Sequence, residues 1–290
     1  MRWAERRRRF RAILAGQECV FPASVHDPLS ARIAEDLGFE MGMFAGSTAS
    51  LVVLGAPDVL LVTLTEFAEQ AYRICRAGNL PVLVDADHGY GNALNVRRTV
   101  EELENAGVAG LTIEDTLLPT PHGGSIAGAL TSIEEGVGKM KAALSGRRDP
   151  DLVICGRTSA VMLSDVNDAV ARIRAYDAAG VDAIFLVGVR TMAELDAVSA
   201  ATRLPIVLGS ADPALMDCGM LASKGVRVCL QGHLPISAAV RAIHDTLKQL
   251  REGTLPAEVK TGSPADLTRR VTRADEVEAW FRDFLAVRPK

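Results

Sequence analysis

The segment Val84-Asp85-Ala86-Asp87-His88-Gly89-Tyr90-Gly91-Asn92 places two carboxylates, two residues apart, at the end of an apolar run. Side chains on a strand alternate between its faces, so Asp85 and Asp87 project to the same side. A second apolar run ends in Ile113-Glu114-Asp115. Three or four acids at one rim repel, since two unit charges about 4 Å apart cost about 4 kcal/mol at an effective dielectric of 20. They must be protonated, paired or neutralised by a cation. Oxygen donors without a cysteine pair select a hard divalent ion, so Asp85, Asp87 and Glu114 are candidate ligands for Mg²⁺ or Mn²⁺. One such Asp would be explained by a helix cap or an arginine partner; three together point to the ion.

Other run ends add polar groups. Ala45-Gly46-Ser47 offers a hydroxyl and backbone N–H groups at the start of a helix, either an anion cradle or a simple helix cap. Gly156-Arg157-Thr158 supplies a guanidinium whose planar fork suits a substrate carboxylate, or else the acid cluster itself. Gln231-Gly232-His233 adds an imidazole. His26, His88, His122 and His244 gain no role from spacing, and the lack of an HxH or HExxH pattern argues against zinc. Residues 119–131, rich in Pro, Gly, Ser and Ala, read as a mobile lid that would exclude water from a reactive intermediate. Gly136-Val137-Gly138-Lys139-Met140 has the outline of a P-loop tail but lacks the upstream Gly and the Ser/Thr after Lys. Neither a dinucleotide fingerprint nor a nucleophile elbow is present.

The rest of the 290 residues must position these groups. Nearly half are apolar, enough for a full-sized core. A net charge of −4, with only 2 Trp, 3 Tyr and 8 Phe, speaks against a nucleic-acid partner, which needs a basic face and stacking platforms. No apolar stretch reaches the length of a membrane span. Five cysteines without a CxxC pair read as buried, reduced thiols, which suits the cytoplasm. The segment after Arg6-Arg7-Arg8-Arg9 is too short and too charged for a signal peptide, so a solvated first helix is expected.

Four segments repeat one pattern, a Gly at a helix end followed by an apolar run: Gly38 to Phe44, Gly107 to Ile113, Gly180 to Leu186 and Gly225 to Leu230. Gly supplies the left-handed residue that ends a helix, and the run after it reads as a buried strand. Leu80-Pro81-Val82-Leu83-Val84, Leu204-Pro205-Ile206-Val207-Leu208, Cys19-Val20-Phe21-Pro22-Ala23 and Leu152-Val153-Ile154-Cys155 complete eight strands. Amphipathic stretches lie between them; over 166–179, Val166, Val170 and Ile173 share a stripe while Asp168, Arg172 and Arg174 face away. Strands alternating with helices pair in parallel, and eight such units close a (β/α)₈ TIM-type barrel. An open doubly wound sheet is the alternative. The barrel is expected over 1–250. Residues 251–290 read as a linker and helical extension, with a helix at 275–287, packing on a neighbouring subunit.

The string Asp85-Ala86-Asp87-His88-Gly89-Tyr90-Gly91-Asn92, with Gly46-Ser47, Ala56-Pro57-Asp58, Ile113-Glu114-Asp115 and Gly156-Arg157-Thr158, resembles the phosphoenolpyruvate mutase/isocitrate lyase superfamily from about Cys19 to Leu250. Thr116-Leu117-Leu118-Pro119, Glu134-Glu135-Gly136-Val137-Gly138-Lys139 and Gln231-Gly232-His233 are most similar to its bacterial oxaloacetate decarboxylase branch. The lid carries neither the Cys and Lys of the isocitrate-type lyases nor the mutase-type Asn. The resemblance implies a barrel whose last helix is swapped between subunits of a homodimer or a homotetramer. It implies Mg²⁺ held by Asp85 directly, with Asp87 and Glu114 acting partly through water. Gly46, Ser47 and Arg157 would grip an α-keto acid, Asp58 would lie near the metal's water network, and His233 would sit beside the departing carboxylate. The implied reaction is decarboxylation of oxaloacetate, or a similar small α-keto dicarboxylate, to pyruvate and CO₂ through a metal-stabilised enolate. The branch carries a Tyr after strand seven that Gly209-Ser210-Ala211-Asp212-Pro213 lacks, so a changed substrate preference is expected. The rivals are a methylisocitrate- or dimethylmalate-type lyase, a phosphonopyruvate hydrolase or mutase-like enzyme, and a sensor barrel that binds keto acids without turnover.

Overall fold

The computed structural model describes residues 2–125, 128–210, 212–259 and 262–285. Its contacts divide the chain into two units, Met1–His233 and Leu234–Lys290. The first begins with α1 (Arg2–Ala15), β1 (Ala23–Ser24), α2 (Pro28–Asp36), β2 (Gly42–Phe44) and α3 (Gly46–Ala49). A π-helical turn (Ser50–Leu54), α4 (Leu64–Arg76), β3 (Val82–Asp85), α5 (Ala93–Ala106) and β4 (Gly110–Glu114) follow. Next come α6 (Ile133–Gly146), β5 (Val153–Thr158), α7 (Ala160–Leu163), α8 (Val166–Ala179) and β6 (Ala183–Leu186). The unit ends with α9 (Met192–Ser199), β7 (Ile206–Leu208), α10 (Cys218–Ser223) and β8 (Val226–Cys229).

All eight strands pair in parallel in sequence order. The ring closes through Val20, which bridges Val228: Val20 N–H donates to the Arg227 carbonyl at 2.9 Å, and the Val20 carbonyl accepts from Cys229 N–H at 3.0 Å. Pro22 has no N–H to give, so the first strand is split into this bridge and the two-residue β1 that pairs with β2. Gly38, Gly107, Gly180 and Gly225 all take positive φ, between 82° and 94°, where a side chain would be strained.

Alternation along the strands makes two cores. Phe44, Val82, Val84, Leu111, Ile113 and Ile154 point outward into the helix layer. Met43, Leu83, Val153, Cys155, Phe185 and Val228 fill the barrel interior. Phe10 of α1 joins this inner cluster and is fully buried; a Cβ on Gly110 would come 2.6 Å from its ring. The arginines of α1 correct the expectation of a solvated helix. Arg6 and Arg7 are buried. Arg6 donates to the carbonyls of Cys75 and Gly78 at the end of α4. Arg7 reaches the Glu104 carbonyl of α5 at 2.7 Å, the Val108 carbonyl at 3.1 Å and Asp149 at 2.6 Å. Carbonyls in a last helical turn lack intrahelical partners, and these guanidinium groups supply them.

Of the cysteines, Cys19, Cys75, Cys155 and Cys229 are buried and Cys218 is exposed; all five are free. The second unit contains α11 (Leu234–Arg251), α12 (Ala265–Thr272) and α13 (Ala274–Phe284), the last two tied by Arg269 to Asp275 and Glu278. Val240, Ile243 and Leu247 lie exposed along α11, as do Trp280, Phe281 and Phe284 on α13. Ala286 and Val287 of the expected last helix lie outside the described residues. Among the described residues no helix is long and apolar enough to cross a membrane.

Candidate active site

The alternation that buries Leu83 and Val153 inside the barrel also points Asp85, Glu114 and Arg157 to the inner side at its mouth. There they line a cavity of about 770 Å³ together with Ser47, Asp58, Asp87 and His233. Gly46 lies behind: a Cβ on it would come 2.9 Å from both carboxylate oxygens of Asp87, so only glycine admits the acid there. Asp87 and Tyr90 hold left-handed backbones, φ 48° and 59°, a conformation costing about 1 kcal/mol or more for a residue with a Cβ. Neighbours hold the loop in place. Glu114 N–H donates to the Asp87 carbonyl at 2.9 Å, Thr99 Oγ1 to the Gly89 carbonyl at 3.0 Å, and the buried Lys139 Nζ to the His88 carbonyl at 3.1 Å.

Charge at the mouth is unbalanced. Arg157 pairs with Asp85 through one Nη and with Glu114 through the other at 3.0 Å, while its guanidinium lies 5.3 Å from the Phe185 ring centre. Of the two readings open for Arg157, the structure realises the pairing with the acids. Thr112 Oγ1 also donates to Asp85 at 3.1 Å. The Asp87 carboxylate has no cation within ion-pair distance and no hydrogen-bond donor among the described residues. Burial, then Asp85 and Glu114, push its carboxyl well above the usual carboxylate range. Burial likewise raises Glu114 against the pull of Arg157, and burial with Asp85 raises Asp58. One guanidinium thus faces four carboxylates.

Among the described residues no group of three His, Cys, Asp or Glu side chains is gathered into a ready-made metal cage. The donor chemistry nonetheless fits a hard divalent cation: the donors are all oxygen, negative charge is in excess, and the half-buried Asp87 carboxylate has no ion-pair partner among the described residues.

Several side chains depart from expectation. Asp115 does not join the cluster. Period two turns it outward, where Arg172 pairs with it at 2.9 Å and the Tyr176 hydroxyl donates to it at 2.6 Å. Arg172, expected to face solvent from α8, is buried for the same reason. Ser47 is not spent on capping, since α3 is capped by Ala45 with no side-chain hydrogen bond. The expected lid is laced at its base: Leu117 N–H donates to the Ala129 carbonyl at 2.7 Å and Thr131 N–H to the Asp115 carbonyl at 2.8 Å. Leu118, Pro119 and Thr120 line the cavity, while Ile126 and Ala127 lie outside the described residues. Gly209 and Ser210 line it after β7; Ala211 lies outside the described residues. The sequence reading missed Ser24, whose Oγ lies 2.8 Å from His233 Nδ1. Its signal was its place at a strand end, one residue beyond the apolar run.

The chain is 59% identical over 285 residues to a protein of Bradyrhizobium diazoefficiens named oxaloacetate decarboxylase, covering 98% of this chain and 99% of that one. Among solved structures, an oxaloacetate acetylhydrolase in complex with the inhibitor 3,3-difluorooxalacetate superposes with a TM-score of 0.84 at 28% identity, covering 96% of each chain. A phosphonopyruvate hydrolase in complex with oxalate and Mg²⁺ superposes with a TM-score of 0.85 at 27% identity, covering 97% of this chain and 99% of that one. The family model described as phosphoenolpyruvate phosphomutase matches residues 10–251. With its parallel eight-stranded barrel and acid-rich mouth, the chain belongs to the phosphoenolpyruvate phosphomutase family.

Proposed function

We propose that this protein is a metal-dependent oxaloacetate decarboxylase that releases pyruvate and CO₂. The observation that carries the reading is the excess of carboxylates over cations at the mouth of the cavity, in a chain closely similar along its length to a protein of that name. Asp85, Asp87 and Glu114 would hold the ion, Mg²⁺ or Mn²⁺. When bound, the ion supplies a Lewis acid that favours the electron-rich transition state of C–C cleavage over the ground state.

The chain's own groups do the rest. Arg157, held by Asp85 and Glu114 at the cavity wall, would offer its planar fork to the substrate carboxylate. Gly46 leaves the room, and the Ser47 hydroxyl donates to the keto acid. Each such preorganised donor contributes about 2.7–4 kcal/mol, by analogy with oxyanion-hole deletions. Asp58 orders water beside the site. As the C3–C4 bond breaks, its electron pair enters the C2–C3 enolate and CO₂ leaves past His233. A proton from water or His233 then adds to C3. No covalent nucleophile is required.

The test is pyruvate release from oxaloacetate, 2-methylisocitrate and phosphonopyruvate, with and without EDTA. Saturable, EDTA-sensitive loss of oxaloacetate above the free-metal background is expected. Turnover of a hydroxy diacid alone would make the protein a lyase of that class, and binding without turnover a sensor. The exposed apolar residues of α11 and α13 support a homodimer or homotetramer, and the buried thiols suit the cytoplasm.

A further inference from the structure

Ser24 closes β1 and His233 follows β8, and the ring bridge between Val20 and Val228 makes these strands neighbours. The Ser24 hydroxyl is buried and lies 2.8 Å from His233 Nδ1. Among the described residues Ser24 Oγ has no other hydrogen-bond partner. A hydroxyl carries one hydrogen, and leaving a buried donor unused is unfavourable. The hydrogen therefore goes to Nδ1. When Nδ1 accepts, the ring of a neutral histidine carries its proton on Nε2. Burial keeps the His233 imidazole below its ordinary pKa despite Asp85 and Asp58, the acids that face it, so the neutral ring is the relevant one.

We propose that Ser24 is a positioning residue that fixes His233 as the Nε2–H tautomer and turns that N–H to the cavity. This rests on the role given to His233 above and sharpens it. Nε2 acts as a hydrogen-bond donor to an oxygen of the departing carboxylate and not as a base toward the substrate, and of the two proton sources named above for C3 this leaves water. Ser24 itself touches neither substrate nor ion.

A double-mutant cycle with oxaloacetate as substrate, joined to ¹⁵N imidazole spectra of the intact protein, tests the inference. Ser24→Ala is expected to lower kcat by about 10- to 100-fold, with KM and Mg²⁺ affinity little changed, as for other partners that orient a functional histidine. Ser24→Thr should restore most of the rate. In a His233→Ala background Ser24→Ala should add nothing, because coupled residues fail to add. The wild-type spectrum should show the Nε2–H tautomer for His233, and Ser24→Ala a mixture. Unchanged kcat in Ser24→Ala, additive losses in the double variant, or an Nδ1–H tautomer in the wild type would each overturn the inference. Full activity in His233→Ala would instead remove the role given to His233, while the spectra would still judge the hydrogen bond.

Discussion

Asp87 carries more strain and less compensation than any other acid at the barrel mouth. Its backbone is left-handed, its carboxylate faces Asp85 and Glu114, and it has no ion-pair partner. Such a residue costs the fold stability unless something compensates its charge. Asp87→Asn keeps the shape and removes one of the mutually repelling charges. In EDTA the variant should melt above the wild type, by a few degrees for a gain on the order of 1 kcal/mol. It should lose both the stabilisation by Mg²⁺ and the decarboxylase activity. A lower melting point in EDTA would show that the Asp87 charge is compensated after all. Asp85 and Glu114 were legible in the sequence because strand alternation is local and needs no partner to predict, whereas Asp87 lies beyond the end of β3 and reaches the mouth through a left-handed turn that alternation does not describe. The same alternation sends Asp115 outward, but its destination depends on Arg172 and Tyr176, about 60 positions away, which no local pattern reveals. Ser24 escaped notice because its partner His233 lies 209 positions away, a pairing no local pattern reveals.

Among the elements, α1 differs most from its appearance in the sequence. Four consecutive arginines suggest a wetted surface, yet Arg6 and Arg7 are buried because the ends of α4 and α5 present carbonyls that need donors. What a charged helix faces is decided by its neighbours' unpaired groups, and its own periodicity does not record them. The apolar part of α1 reaches further still, with Phe10 completing the barrel interior opposite the mouth. Phe10→Ala should cost about 3–5 kcal/mol in urea unfolding. The KM for oxaloacetate should not move, since Phe10 lies in the inner cluster and does not line the cavity. A loss below about 1 kcal/mol would mean that the inner cluster closes without it. The β-strands, by contrast, were legible in number and order, since a buried apolar run is a local signal, although β1 shares only Ala23 with its expected run and β5 continues to Thr158.

For the whole molecule, the order of eight parallel strands follows from the repeat of the sequence, and the closed ring follows from their number. The division at His233 was less visible, because α11 continues the amphipathic pattern of the barrel helices. Its apolar residues Val240, Ile243 and Leu247 recur at helical spacing and are exposed in the single chain. If a neighbouring copy covers them, Ile243→Lys should reduce the molar mass seen by light scattering to that of one chain. An unchanged mass would place the contact elsewhere.

The arginines of α1 also bear on the order in which the protein can assemble. Arg7 binds Val108 and Asp149, and Arg11 binds Asp182, so α1 has polar partners as far as 171 positions further along the chain. Contacts so distant along the chain form slowly, because a long loop must close before they repay its entropy. Until β8 has been synthesised, the floor of the barrel has no finished seat for its plug, and the segment bearing Phe10 waits with its apolar face uncovered. A bulky domain fused ahead of α1 would therefore weigh on the last step of assembly.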